Sequence, residues 1–92
     1  MKQQSEEALR ILQEECAEVI QAISKIFRFG KKHRYPSPTS PTNLDKLQDE
    51  IGDVLAMVDI LVESGVFNRD NLLEASERKK IKLKTWSTVY EK

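Results

Sequence analysis

Two acidic clusters in this chain combine residue types and spacing that suit the binding of a divalent cation. The first contains Glu14, Glu15 and Glu18, and the second contains Glu50 and Asp53. Residues three or four positions apart lie on the same face of an α-helix, so each cluster presents its carboxylates together if its segment is helical. Carboxylate oxygens are the ligands that hard divalent cations prefer. The clusters therefore predict a metal site between two packed helices.

Helical periodicity places four of these carboxylates at the edge of the core. At about 100° per residue, Glu15 and Glu18 lie beside the apolar arc of the first predicted helix, and Glu50 and Asp53 flank the apolar face of the second. A carboxylate beside a hydrophobic core costs free energy to desolvate unless it has a counter-charge. No lysine or arginine on the same helix faces is well placed to neutralise the charge of both clusters. A bound cation is therefore the expected counter-charge.

The elements that position these residues are predicted to be three helices, which makes the fold class all-α. We expect one domain over residues 1–92, with helices at about 3–29, 43–64 and 69–84. The loop at 30–42 contains three prolines, one glycine and four serine or threonine residues, a composition that excludes a helix. No segment has a β pattern long enough to predict a strand. The helices are expected to form a helical-hairpin bundle that is completed by oligomerisation.

Chain length and charge narrow the possible partners. A chain of 92 residues with three helices buries a thin core, so a homodimer or a homotetramer built as a dimer of dimers is expected. Lysine and arginine number 15, as do aspartate and glutamate, and the net charge is zero. This balance gives no electrostatic support for binding a nucleic acid polymer.

Cysteine usage and hydropathy favour a cytoplasmic protein. The single cysteine, Cys16, cannot form an intramolecular disulfide, and its position on the apolar arc predicts a buried side chain. Nothing at the N-terminus resembles a signal peptide, and no apolar run approaches the roughly 20 residues that span a bilayer. We therefore expect no membrane partner.

The segments around both clusters resemble the MazG-like all-α nucleoside triphosphate pyrophosphohydrolases. The resemblance rests on LQEECAEVIQA at 12–22 with the following SK and RFG, on NL and LQDEIGDVL within 43–55, and on KKIKLKTW at 79–86. It covers most of residues 9–86. The combination of EExxE with ExxD on two helices separated by a short loop is more specific than either half alone.

This resemblance implies hydrolysis of a nucleoside triphosphate to the monophosphate and pyrophosphate. The implied role of the reaction is to control or to clean the nucleotide pool. The cofactor implied is Mg²⁺, with Mn²⁺ as an alternative and more than one ion in each site. By the same resemblance, Glu15, Glu18, Glu50 and Asp53 match the metal ligands of the family. Glu14 matches an additional acidic position that would hold a further ion or orient the water.

Several basic or polar residues are candidates for binding the substrate. Lys25 and Arg28 lie one turn apart at the end of the first helix and either grip phosphates or form solvated surface charge. Lys80 and Lys84 share one face of the third helix and match basic positions of the family. Asn43 either contacts the base or sugar or caps the second helix.

Two other kinds of metal site and one other function are alternatives to this interpretation. Di-iron carboxylate bundles need Glu-x-x-His motifs, and zinc sites need histidine and cysteine, whereas this chain has only His33 and Cys16. The rival function is a non-catalytic helical dimerisation or adaptor module, in which the acidic residues pair with lysines of a partner subunit. Thermal melting with and without Mg²⁺ would distinguish this module from an enzyme.

Overall fold

The computed structural model describes residues 1–91, and its regular elements are three helices: α1 (Gln3–Phe29), α2 (Asn43–Glu63) and α3 (Arg69–Trp86). No strand forms within these residues, so the predicted all-α class is confirmed. Helix α2 ends one residue before the predicted bound, and α3 continues two residues beyond it. Residue 92 of the predicted domain lies outside the described residues.

Local backbone conformation and hydrogen bonds determine where α1 ends and where α2 begins. Gly30 adopts a φ of 97° directly after α1, a conformation that favours glycine, and its N–H donates to the carbonyl of Ile26 at 2.8 Å. At the start of α2, Thr42 Oγ1 accepts from the backbone N–H of Asp45, and the Asp45 carboxylate accepts from the N–H of Thr42. This capping box fixes where α2 begins.

The segment between α1 and α2 folds back along the first turn of α2. The backbone N–H of Asn43 donates to His33 at 2.9 Å, and that of Leu44 donates to Lys31 at 3.0 Å. An isolated bridge pairs Arg34 with Thr42. The two hydrogen bonds satisfy N–H groups in the first turn of α2, which have no partner within the helix. The segment is therefore held in place beside the end of α1.

Helices α1 and α2 pack against each other and form the main tertiary contact of the chain. The buried apolar residues in the described part of the chain are Ala8 and Leu61, and Leu61 has no exposed surface. The radius of gyration is 16.2 Å, whereas a compact chain of this length has a value of about 12 Å. A single copy thus forms an extended hairpin with a thin core.

The predicted apolar arc of α1 is only partly covered. Leu12 and Val19 are half-buried, while Ile20 and Phe27 are 67% and 86% exposed. Cys16 lies on this open side and is exposed, so the prediction that it is buried was wrong. The hairpin covers one edge of the arc because α2 is the main neighbour of α1.

Helix α3 begins at a side-chain cap, in which Asn68 Oδ1 accepts from the backbone N–H of Asn71 at 2.9 Å. It makes few contacts with the other two helices, and Leu73 and Ile81 on it are exposed. Leu72 and Leu83 are half-buried, but no residue of α3 is fully buried within one copy. Among the helices of residues 1–91, none combines the length and apolar character needed to cross a membrane.

Candidate metal centre and adjoining groove

The hairpin brings together three carboxylates from the two predicted clusters. Glu15 on α1 and Glu50 and Asp53 on α2 each offer one oxygen, and these oxygens all lie within 4.8 Å of one another. Glu15 and Glu50 are half-buried, and Asp53 is exposed. The one-turn spacing of Glu50 and Asp53 turns both side chains towards α1, where Glu15 lies opposite. The arrangement is a three-sided acidic cluster, named here the carboxylate cluster.

The electrostatics of the carboxylate cluster are unfavourable without a cation. The pKa of Glu15 is raised above its ordinary value of 4.5, first by desolvation and then by the negative charges of Asp53, Glu50 and Glu18. A hydrogen bond with Asp53 adds to the same shift. Each of these causes disfavours the ionised form of Glu15. The protein thus keeps negative charges close together at a cost in free energy.

The donor set of the carboxylate cluster suits Mg²⁺ or Mn²⁺. It consists of oxygens only, without the imidazole or thiolate ligands that zinc prefers. Oxygens bound to one Mg²⁺ lie within about 4.2 Å of each other, twice the usual bond length. Side-chain rotations that move the three oxygens by less than about 1 Å would meet this limit. Glu15, Glu50 and Asp53 therefore fit a hard divalent cation.

The remaining predicted acidic residues occupy different positions. Glu18 is exposed and lines a groove next to the carboxylate cluster, and its charge acts on Glu15. Glu14 is exposed and belongs neither to the cluster nor to the lining of the groove. One residue step on a helix turns a side chain by about 100°, which explains why Glu14 points away from its neighbour.

A groove of about 140 Å³ continues from the acidic side of the hairpin towards the end of α1. Acidic, basic and amide side chains line it together, which is the polarity expected of a site that holds both cations and phosphates. The lining residues are Glu18, Gln21, Ala22, Lys25, Asn43, Lys46, Asp49 and Glu50.

Two of the five predicted substrate-binding residues lie in this groove. Lys25 is exposed in its wall, and Asn43 is buried, with 4% of its surface exposed. The Asn43 amide nitrogen donates to the carbonyls of Gly30 at 3.1 Å and Lys25 at 3.4 Å. Asn43 is the first residue of α2, whereas Thr42 is its N-cap. The Asn43 side chain therefore ties the end of α1 to the start of α2.

The other three predicted substrate-binding residues lie elsewhere in a single copy. The Arg28 guanidinium lies over the Phe29 ring, 5.0 Å from its centroid. Lys80 on α3 forms an exposed ion pair with Glu77 at 3.3 Å, one helical turn away. Lys84 is exposed in the last turn of α3. None of the three lines the groove within residues 1–91.

Lys46 is a groove residue that the sequence analysis missed. It lies one turn before Glu50 on the same face of α2, a spacing of four that could have identified it. Its Nζ donates to the carbonyl oxygen of Tyr35 at 2.9 Å, so the side chain spans from α2 to the loop. Lys46 thereby places a positive charge within a wall that also contains Glu50.

A second cavity of about 300 Å³ adjoins the groove and shares three of its lining residues, Lys25, Asn43 and Lys46. Its remaining walls are rings. The Phe29 and His33 rings are stacked, with centroids 5.5 Å apart and planes inclined by 27°. Tyr35 forms another part of the wall. This aromatic cavity was not predicted, because His33 and Tyr35 lie in the loop after α1, where helical periodicity does not apply.

Comparison with known protein families gives a match over most of the chain. The family described as the MazG nucleotide pyrophosphohydrolase domain matches residues 3–86, which include all three helices. No curated protein and no solved structure shows significant similarity to the chain.

Proposed function

Because the chain belongs to the MazG nucleotide pyrophosphohydrolase domain family, we propose that it hydrolyses nucleoside triphosphates in the presence of Mg²⁺ or Mn²⁺. The proposed products are the nucleoside monophosphate and pyrophosphate, so the bond broken joins the α and β phosphates. The proposed role is control or cleaning of the nucleotide pool. The resemblance found in the acidic and basic segments agrees with this family.

The observation that carries the proposal is that acidic and basic side chains line one continuous site. Glu50 belongs both to the carboxylate cluster and to the lining of the groove, and Lys25 and Lys46 line the same groove. A triphosphate with its cations needs both kinds of charge within a short distance. An adaptor surface has no such requirement.

Each side chain has a proposed task in the reaction. Glu15, Glu50 and Asp53 would hold the first cation, and Glu18 would help to hold a further one beside the groove. When bound, such cations neutralise phosphate charge and lower the pKa of water to generate a nucleophile. The ammonium groups of Lys25 and Lys46 would bind phosphate oxygens and so fix the substrate against the carboxylates.

We also propose that the working enzyme is an oligomer of identical chains. Ile20 and Phe27 lie on one stripe of α1, two turns apart, and both are exposed. This stripe faces away from Glu15, because five residues separate Glu15 from Ile20 and turn the helix by about 140°. Packing a second copy on the stripe would bury apolar surface without covering the carboxylate cluster. Lys80 and Lys84 would then reach a site only across a subunit boundary.

The experiment that tests the proposed reaction is pyrophosphate release from a panel of canonical and modified nucleoside triphosphates. It is run with Mg²⁺, with Mn²⁺ and with chelator, for the wild type and for Glu50→Gln. Metal-dependent release that is lost in the variant is the expected result. A folded, metal-binding protein that releases no pyrophosphate from any nucleotide on the panel would contradict the proposed reaction.

A further inference from the structure

We propose that the aromatic cavity formed by Phe29, His33 and Tyr35 binds the base of the nucleotide whose triphosphate occupies the groove. This inference rests on the proposed function, and it adds where the base lies and how it is recognised. The base would be held mainly through the faces of its rings.

The first argument is the composition of the two cavities. The groove contains Glu18, Asp49 and Glu50 together with lysines, whereas the aromatic cavity contains three rings and no carboxylate. A nucleoside triphosphate has the same division, because its phosphates are anionic and its base is a flat aromatic ring. The volume of about 300 Å³ accommodates a base with its sugar.

The second argument is continuity between the cavities. Lys25, Asn43 and Lys46 line both of them, so the cavities adjoin and one ligand can extend from one into the other. With a nucleotide bound in this way, Lys25 and Lys46 would lie beside the phosphates nearest the sugar. The carboxylate cluster would then lie on the far side of those phosphates. The order of the side chains along the site matches the order of groups along the nucleotide.

The third argument is that the aromatic wall is held in place before any ligand arrives. Lys46 Nζ bonds the carbonyl of Tyr35, and the Asn43 amide bonds the carbonyl of Gly30. The Arg28 guanidinium lies over the Phe29 ring, which in turn stacks with His33. A wall that is already ordered loses little conformational entropy when a ring packs on it.

The aromatic side chains of the cavity wall also predict how far the enzyme discriminates between bases. Base-to-ring stacking tolerates different bases, since every base has an aromatic face. Recognition through a hydrogen-bonding pocket would instead reject the wrong base strongly. We therefore expect kcat/KM values for the four common bases to lie within about tenfold of one another. Purines should be preferred to pyrimidines, because their larger rings cover more of the wall.

The experiment compares two probes on the same variants. One probe is a nucleoside triphosphate analogue with an α,β-imido bridge, and the other is inorganic tripolyphosphate, which has no base. Dissociation constants are measured by calorimetry in Mg²⁺ for the wild type, Phe29→Leu and Tyr35→Leu. The matched control is Tyr90→Leu, which removes an exposed ring outside both cavities.

The two cavity variants should bind the nucleotide analogue about tenfold more weakly, because Tyr35→Leu removes one ring of the wall and Phe29→Leu removes the ring on which His33 stacks. Their affinity for tripolyphosphate should stay within twofold of the wild type, as should both affinities of the control. Tyr35 is 69% exposed, so its replacement leaves the fold intact, and circular dichroism checks this for each variant.

Three results would overturn the base site. One is an equal loss of affinity for both probes in the cavity variants, and another is no loss of affinity for either probe. A strong preference for one base in the wild type would contradict recognition by stacking. If the wild type releases pyrophosphate in any of these cases, the proposed function stands and only the base site fails. If the wild type binds neither probe and releases no pyrophosphate, the proposed function and the base site fail together.

Discussion

Glu15 on α1 and Asp53 on α2 bring carboxylate oxygens within 4.8 Å of each other across the helical hairpin. The negative charges of the two carboxylates repel each other, and the proximity of Asp53 helps to raise the pKa of Glu15. Packing two helices so that their acidic residues meet lowers stability unless something binds there. The relationship between these two residues is therefore the observation that most favours the proposed cation site.

Removing a carboxylate from α2 should abolish the reaction and leave the fold intact. Glu50→Gln or Asp53→Asn is expected to lower metal-dependent pyrophosphate release at least about 100-fold, since even indirect supports of a metal site cost 10- to 100-fold. In chelator, either variant should be at least as stable as the wild type, because a repulsive charge is gone. Release assays and thermal melting measure the two effects.

The matched controls for these variants are Glu63→Gln and Asp59→Asn, which lie on α2 outside the carboxylate cluster. Glu63 is exposed, and Asp59 forms only an exposed ion pair with Arg69 at 3.7 Å. Both controls should keep wild-type activity, because exposed ion pairs contribute little. Full activity in Glu50→Gln and Asp53→Asn would disprove the assignment of the site.

Divalent cations should stabilise the wild type in a concentration-dependent way. A ligand that binds only the folded state adds about 2.7 kcal/mol at 100 times its Kd, which raises the melting temperature by several degrees. The measurement is thermal melting over a Mg²⁺ titration, with NaCl of equal ionic strength as the control. Glu50→Gln should follow the NaCl curve in both salts. Equal curves for the wild type in Mg²⁺ and NaCl would favour the adaptor alternative.

The raised pKa of Glu15 predicts a pH dependence of stability in the absence of metal. The folded state holds the Glu15 proton more tightly than the unfolded state, for which the ordinary pKa is 4.5. The stability contributed by this proton is therefore present below about pH 4.5 and is lost as pH rises through the raised value. Denaturant unfolding from pH 4 to pH 7 in chelator measures it.

Glu15→Gln should remove this pH-dependent loss and be more stable than the wild type at neutral pH in chelator. Saturating Mg²⁺ should reverse the order, because only the wild type retains the full ligand set. Glu14→Gln removes a charge from the adjacent position outside the carboxylate cluster and should follow the wild type. Parallel pH profiles for Glu15→Gln and the wild type would contradict this account.

The lysines of the groove should matter more than the neighbouring arginine. Lys25→Gln and Lys46→Gln are each expected to raise KM about tenfold, since a hydrogen bond to a charged group is worth roughly 1.5–3 kcal/mol. Arg28→Gln should change KM less than about threefold, because Arg28 lines neither cavity and acts only on the Phe29 ring. Steady-state kinetics tests the ranking, which an equal effect of all three variants would contradict.

The exposed apolar stripe of α1 should mediate assembly. Ile20→Glu is expected to shift the protein towards the monomer and to lower activity with it, because a buried unpaired charge is costly. Gln4→Glu adds the same charge to α1 about 160° away around the helix and should not change the assembly. Light scattering gives the mass, and a fully active wild-type monomer would contradict the proposed oligomer.

The sequence by itself determined the helices and the faces on which their carboxylates lie. These properties are local. Spacings of three and four residues decide which side chains share a helix face, and Gly30 and the loop prolines end one helix before Thr42 caps the next. The pairing of Glu50 with Asp53 and the approximate helix bounds could therefore be predicted without knowing how the helices pack.

Only the tertiary structure decided which residues from different elements meet. The rotation and register of α2 against α1 bring Glu15 into the carboxylate cluster and leave Glu14 outside it. The same packing brings Lys46 into the groove, while the fold-back of the loop places Tyr35 beside Phe29. Periodicity along one chain segment carries no information about the distance to another. These contacts depend on helix packing and on loop hydrogen bonds, which join residues far apart in sequence.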